Sequence, residues 1–223
     1  MRRLLLNGSP RGKESNSRLL LGWLAEGLAE TTPLVLDLAH ASADEAREAF
    51  LDADQVVFAF PLYTDAMPAL VKRFIESLGD VDPARLQGKQ VAFIVQSGFP
   101  EAIHTETLAT YLARLCVRLG LRHLGTINKG GVEGIRIMPP PLVRKTKQRF
   151  IRAGRELATL GEFTPALVAT LAGRRNLGWG RTQLFHVLSW LGVTNYYWNT
   201  MLKKHGAFTR RFDQPYASAR PGA

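Results

Sequence analysis

The sequence predicts an α/β fold: a doubly wound parallel sheet carrying a helical C-terminal extension. Three observations predict it. Short apolar runs alternate with stretches of helical periodicity over roughly the first 160 residues. The run Gln55–Phe60 is apolar almost throughout, as a central strand covered on both faces must be. Runs one, three and four each end in a loop of small, polar or proline residues, and right-handed crossovers place those three loops on one edge of the sheet.

The elements follow in order. Arg2–Leu6 reads as a buried strand and Ser15–Glu30 as a helix, with Leu19, Leu20, Trp23, Leu24 and Leu28 on one face. Leu34–Leu38 is the second strand and Asp44–Leu51 a short helix. Gln55–Phe60 is the third strand. Pro68 suits the first turn of the next helix, which turns Leu70, Val71, Phe74, Ile75 and Leu78 to the sheet. Gln90–Val95 is the fourth strand, and the helix after it carries Leu108, Leu112, Leu115 and Leu119. Leu121–Ile127 is a weaker fifth strand, interrupted by His123 and Gly125. Pro139–Pro141 opens a basic helix running to about Leu160. The division expected is a domain of residues 1–162 and a basic, aromatic extension of residues 163–223, packed on that domain or on a dimer partner.

The first loop, Asn7-Gly8-Ser9-Pro10-Arg11-Gly12-Lys13-Glu14-Ser15-Asn16-Ser17, has the chemistry of an anion cradle. It combines backbone N–H groups, hydroxyls, one arginine and the positive end of a helix dipole. It is not a P-loop, because Gly12-Lys13 is followed by Glu14. Nor is it a dinucleotide fingerprint, because Gly8 and Gly12 are wrongly spaced. The bland alternative is a proline turn before a helix capped by Ser15 or Asn16, with no ligand. The second loop, Pro61-Leu62-Tyr63-Thr64-Asp65-Ala66-Met67-Pro68, holds an aromatic ring between two prolines that stiffen it, which suits a planar ligand. Gln96-Ser97-Gly98-Phe99-Pro100-Glu101 is the third.

The chain of 223 residues is long enough for one domain with a complete core, and 46% apolar residues is ordinary for a globular protein. One cysteine excludes an intrachain disulfide framework. Met1-Arg2-Arg3 leads straight into a short strand with no signal-peptide pattern, so the expected compartment is the cytoplasm. The net charge of +10 attracts anions: a phosphorylated cofactor, a nucleic acid or an acidic membrane. The excess of Lys and Arg is concentrated from Arg136 onward.

Asn7-Gly8-Ser9-Pro10-Arg11 with Ser15-Asn16-Ser17 resembles the phosphate loop of the NAD(P)H-dependent FMN reductase family, in the flavodoxin-like superfamily. Pro61-Leu62-Tyr63 with Pro68, Leu70 and Lys72 resembles that family's second loop, and Gln96-Ser97-Gly98 falls where it has its third. The resemblance covers roughly residues 1–160. It implies a flavodoxin-like five-stranded sheet of order 2-1-3-4-5. It implies that Ser9, Arg11, Asn16 and Ser17, with Ser15 close by, hold the phosphate of FMN. Pro61, Leu62 and Tyr63 would contact the ring or ribityl chain, and Gln96, Ser97 and Gly98 the polar edge of the ring. It further implies hydride transfer from NADPH or NADH to flavin N5, then to a quinone-like or other small acceptor, in a homodimer. No protein base is required. The N–H groups of Ser97 and Gly98 are the candidates to stabilise negative charge on the reduced ring. Two other readings stay open: an FMN electron carrier with no nicotinamide site, and a non-enzymatic protein that binds a membrane surface or nucleic acid. The basic residues form no recognisable nucleic-acid-binding motif.

Cys116, on the apolar face of a helix, reads as a core thiol. His104 follows the third loop and is either within reach of a substrate or a solvated helix residue. His40, His123, His186 and His205 are scattered, with no metal-ligand spacing. Gly130-Gly131-Val132-Glu133-Gly134 reads as a turn after an edge strand, or as a border to a dimer partner's site. The apolar stretch Leu184–Val193 is shorter than the roughly 20 residues of a spanning helix. It reads as a helix packed on the sheet or a second subunit, or as one lying in a membrane interface flanked by Arg174, Arg175, Arg181, Lys203 and Lys204.

Overall fold

The computed structural model describes residues 1–28 and 32–214. Five strands form one parallel sheet: β1 (Arg3–Asn7), β2 (Leu34–Asp37), β3 (Gln55–Pro61), β4 (Gln90–Gln96) and β5 (Arg122–Lys129). Their spatial order is β2-β1-β3-β4-β5, so the crossover direction reverses beside β1 and β3. That reversal opens a crevice at the carboxyl ends of the strands. In register Leu5 stands beside Val57, and Val57 beside Ala92. Opposite one residue of β4, Ala92, β5 carries two, Leu124 and Gly125. This bulge lets β5 run eight residues, through the His123 and Gly125 that make it look broken in the sequence.

Period-two alternation divides the strand residues between two cores. On one face Leu5, Val57, Ala59, Ile94 and Ile127 pack with α1 (Asn16–Gly27), α6 (Pro140–Thr159) and α7 (Pro165–Ala172). On the other, Leu4, Leu6, Phe58, Phe60, Phe93 and Val95 pack with α2 (Ala43–Asp52), α3 (Ala69–Ser77) and α5 (Ile103–Arg118). A single turn, α4 (Pro83–Leu86), starts on an Asp82 cap. The first helix cross-packs α6 at two glycines. A Cβ on Gly27 would lie 2.0 Å from the Ile151 carbonyl oxygen, and one on Gly154 2.1 Å from that of Leu24, so both must lack side chains. The helix ends at Gly27 with Leu28 as its C-cap, and its expected extension to Glu30 lies outside the described residues.

The chain forms two compact units, Met1–Asn176 and a second beginning at Leu177. Residues 163–176, expected in the extension, fall in the first unit. The Phe163 N–H donates to the Leu124 carbonyl at 2.9 Å, and Leu167 and Leu171 on α7 are buried in the first core. The second unit contains α8 (Trp179–Trp190) and α9 (Tyr196–Lys204). Among the described residues, no helix is long and apolar enough to cross a membrane.

Candidate functional site

Three loops at the carboxyl ends of β1, β3 and β4 meet in a cleft of about 160 Å³. Its lining is Ser9, Arg11 and Asn16 from the first, Pro61, Leu62 and Tyr63 from the second, Gln96, Ser97 and Gly98 from the third, and Glu133. Nine of the eleven residues singled out from the sequence therefore share one cavity.

The first loop is held by Asn7, the buried last residue of β1. Its Nδ2 donates to the Gly12 carbonyl at 2.8 Å and to Asp37 Oδ1 at 2.7 Å. Its Oδ1 accepts from the Ser9 N–H at 3.2 Å and from Ser15 Oγ at 3.3 Å. One amide thus ties the strand end, the turn at Gly12–Glu14, the start of α1 and the tip of β2. Gly8 crosses so close to α3 that a Cβ there would lie 2.3 Å from Val71 Cγ2. Ser15 caps α1 by accepting from the Arg18 N–H at 3.1 Å. The N–H groups of Asn16 and Ser17, the first two of the helix, have no intrahelical acceptor. Ser15 and Ser17 stand behind the cleft. Both are buried, and Ser17 Oγ accepts from Gln96 Nε2 at 3.4 Å. The Ser15 cap is the one that the sequence offers.

The second loop is docked by the Leu62 N–H on the Gln96 carbonyl at 2.8 Å. Beyond it Tyr63 and Ala66 exchange hydrogen bonds of 2.9 and 3.0 Å around a two-residue turn. Thr64 and Asp65 there have φ of 47° and 61°. A β-branched threonine in the left-handed region is strained. The turn presents Tyr63, nearly half exposed, at the cleft mouth.

The third loop corrects an expectation. The Ser97 N–H donates to the Lys129 carbonyl at 3.0 Å and its Oγ to the Phe99 carbonyl at 3.1 Å. Of the two N–H groups expected to face a ligand, only that of Gly98 stays a candidate. The segment after β5, read as a turn, borders the cleft of its own chain. The Val132 N–H donates to the Ser97 carbonyl at 3.2 Å, and Asn16 Nδ2 donates to the Val132 carbonyl at 2.8 Å. Glu133 consequently overhangs Gly98, its Oε2 3.7 Å from where a Cβ would stand. Arg136 Nη1 reaches the Ser15 carbonyl at 3.1 Å, while Nη2 pairs with Glu14 at 3.0 Å. Below this segment burial pushes the Lys129 ammonium under its ordinary pKa, Arg149 adding to the effect, and Nζ donates to the Gly130 carbonyl.

Asn7 and Glu133 fall in loops that the sequence singles out, but neither is itself given a role in the site. A buried asparagine ending a strand before Gly-Ser-Pro is a visible signal for the first. Nothing local marks Glu133, which is brought in by the register of Val132 on Ser97. His104 does not line the cleft; its ring lies 4.6 Å from that of Phe99 and its Nε2 3.8 Å from Glu101 Oε2. Cys116 is a core thiol, its pKa raised by burial to about 12. Among the described residues no group of three or more His, Cys, Asp or Glu side chains is placed to hold a metal ion.

The arrangement thus sets the Arg11 guanidinium and the Ser9 hydroxyl at a helix N-terminus, beside an apolar and aromatic wall and a polar edge that includes Glu133. A sequence model of the flavodoxin-like fold matches residues 1–149. No curated protein matches the chain. Among solved structures, an NADPH-quinone reductase from P. pentosaceus is similar at 18% identity and a TM-score of 0.55, covering 71% of this chain and 98% of its own. An FMN-dependent NADH-azoreductase from Bacillus anthracis, in complex with FMN, is similar at 14% identity and a TM-score of 0.56, covering 71% and 100%. General stress protein 14 from Treponema denticola, also in complex with FMN, is similar at 15% identity and a TM-score of 0.56, covering 70% and 99%. At these identities the likeness is one of fold.

Proposed function

The chain belongs to the flavodoxin-like fold family, and from that premise we propose that it is an FMN-dependent NAD(P)H oxidoreductase whose acceptor is a quinone or a similar small molecule. One observation carries the reading: three loops from adjacent strands, each of different chemistry, line a single cleft. The names of the structural neighbours, among them a quinone reductase and an FMN-bound azoreductase, support it.

The residues present fit FMN. The Arg11 guanidinium, the Ser9 hydroxyl, the Asn16 side chain and the first-turn N–H groups of α1 would hold its phosphate. Pro61 and Leu62 form a stiff apolar wall, and Tyr63 gives a planar surface at the mouth. The Gly98 N–H would face negative charge at the polar edge of the ring. When bound, FMN supplies the two-electron chemistry that no side chain here can perform. The residues orient and stack, and no side chain need take a proton. The net reaction takes a hydride from NAD(P)H and a proton from water and converts a quinone to its hydroquinone.

The test is the visible absorption spectrum of the purified protein before and after FMN is added and the excess removed. Paired flavin bands that survive desalting are expected, followed by steady NAD(P)H oxidation when a quinone is supplied. A colourless protein that retains no FMN would sink the reading. Retained flavin without turnover on either nicotinamide would leave an electron carrier instead.

A further inference from the structure

The second unit has the composition of a folded segment but no interior of its own. Among its described residues none is buried, in α8, in α9 or in the turn at Phe208–Arg210. Yet the chain from Leu177 onward holds nine of the protein's twenty aromatic residues and three of its four tryptophans. Leu184, Val187, Leu188 and Leu191 recur at helical spacing, making an aliphatic stripe along α8 with a tryptophan at each end of the helix. Trp179, Trp190, Tyr196, Trp198 and Phe212 are all more than half exposed.

The charge of this segment is one-sided. From Leu177 onward there are six Lys and Arg and a single acid, Asp213. That acid is paired with Arg210 at 3.0 Å. Lys203 and Arg211 lie over the Phe208 ring at 4.9 and 4.0 Å, so cations and aromatic rings occupy the same surface.

We propose that the second unit docks on an anionic lipid bilayer, its aliphatic stripe and tryptophans at the headgroup–acyl boundary and its Lys and Arg on acidic headgroups. Charge complementarity selects this occupant. Pairing with a second copy through the same surface would set one cationic patch against another. A nucleic acid would satisfy the cations but leave Leu184, Val187, Leu188 and Leu191 without an apolar partner. An acidic membrane surface satisfies both, and tryptophan and tyrosine favour that boundary. Since no described helix is long and apolar enough to cross a membrane, the contact is interfacial.

The experiment uses the full chain, whatever its cofactor content, with phosphatidylcholine vesicles alone or carrying about one-third phosphatidylglycerol. At low salt the protein should sediment with the anionic vesicles and stay in solution with the neutral ones, and high salt should release it. Tryptophan emission should move to shorter wavelength on binding, because Trp23 is buried and only the other three can change surroundings. The double variant Lys203→Glu/Lys204→Glu should bind at least about tenfold more weakly. Trp190→Ala should weaken binding while leaving the melting temperature unchanged. Protein left in the supernatant with anionic vesicles at low salt overturns the proposal. So does sedimentation without vesicles that Trp190→Ala abolishes, which assigns the surface to a second copy. Preferential retention of an RNA or DNA fragment over anionic vesicles overturns it in favour of nucleic acid.

Discussion

Two helices of twelve residues, α1 and α8, carry similar apolar content and meet opposite fates. Each has leucines at helical spacing and a tryptophan. In α1, Leu20, Leu21 and Leu24 are fully buried and Trp23 is 8% exposed; in α8 no residue is buried and Trp190 is 86% exposed. The difference lies in their neighbours along the chain. The first helix is preceded by a strand that enters a sheet and faces α6 across paired glycines that bring the backbones together. The other is preceded by Gly173–Gly178 and is followed by no strand among the described residues. An amphipathic pattern states that a face needs covering, and the topology decides whether the same chain can cover it.

Paired truncations test that contrast most strongly. Phe150 is fully buried and its ring meets Trp23 at 6.4 Å. Phe150→Ala should cost about 3–5 kcal/mol by chemical denaturation. Trp190→Ala, which removes a larger side chain, should change stability by no more than about 0.5 kcal/mol. A comparable loss in both would show that α8 is buried within the protein and break the distinction.

The cleft draws its order from the buried side of the molecule, and Asn7 is the link. Asn7→Ala should destabilise by about 2–3 kcal/mol, since it removes the side-chain donor to the Gly12 carbonyl and leaves Asp37 Oδ1 with only the Arg18 guanidinium at 3.5 Å. It should also abolish retention of FMN through desalting. Retained flavin in a destabilised protein would mean that the loop keeps its shape without its central amide. At the opposite rim the strain is local. Thr64→Asn should raise stability by roughly 0.5–1 kcal/mol, because asparagine tolerates the φ of 47° that a β-branched side chain resists.

The fold was nearly all legible in the sequence because its signals are local: uniformly apolar strands, amphipathic helices, and punctuation at Gly8, Pro68 and Pro139. The cleft was legible wherever it is made of strand-end loops. What escaped depends on register. Glu133 reaches the cleft because Val132 pairs with Ser97, and the Ser97 N–H is lost to a ligand because it pairs with Lys129. Neither partnership can be read from composition or spacing. A smaller effect follows from the first. Glu133 is the one carboxylate among the described residues lining the cleft, and under the proposed function it faces an anionic cofactor, so Glu133→Gln should tighten FMN binding by about two- to fivefold. Weaker binding would show that the carboxylate orders the loop.

Thiol chemistry probes the same contrast with the least disturbance. Burial among the side chains of α5 and the sheet raises the Cys116 thiol to about 12. In the native protein it should be almost inert to a disulfide reagent at neutral pH, because the thiolate is the nucleophile and the reagent has no access. Leu184→Cys in a Cys116→Ala background should react as fast as a free thiol. The raised value also has a signed effect on stability. An unfolded thiol ionises near its ordinary value of about 8.5 while the folded one stays protonated, so the unfolded chain binds fewer protons as the pH climbs. Stability from this group is intact below the unfolded pKa and declines from there up to about 12. Unfolding free energy measured against pH should therefore fall more steeply above that onset in the parent than in Cys116→Ala. Equal slopes, together with a Cys116 that reacts freely, would mean that the α5 face of the sheet is open to solvent.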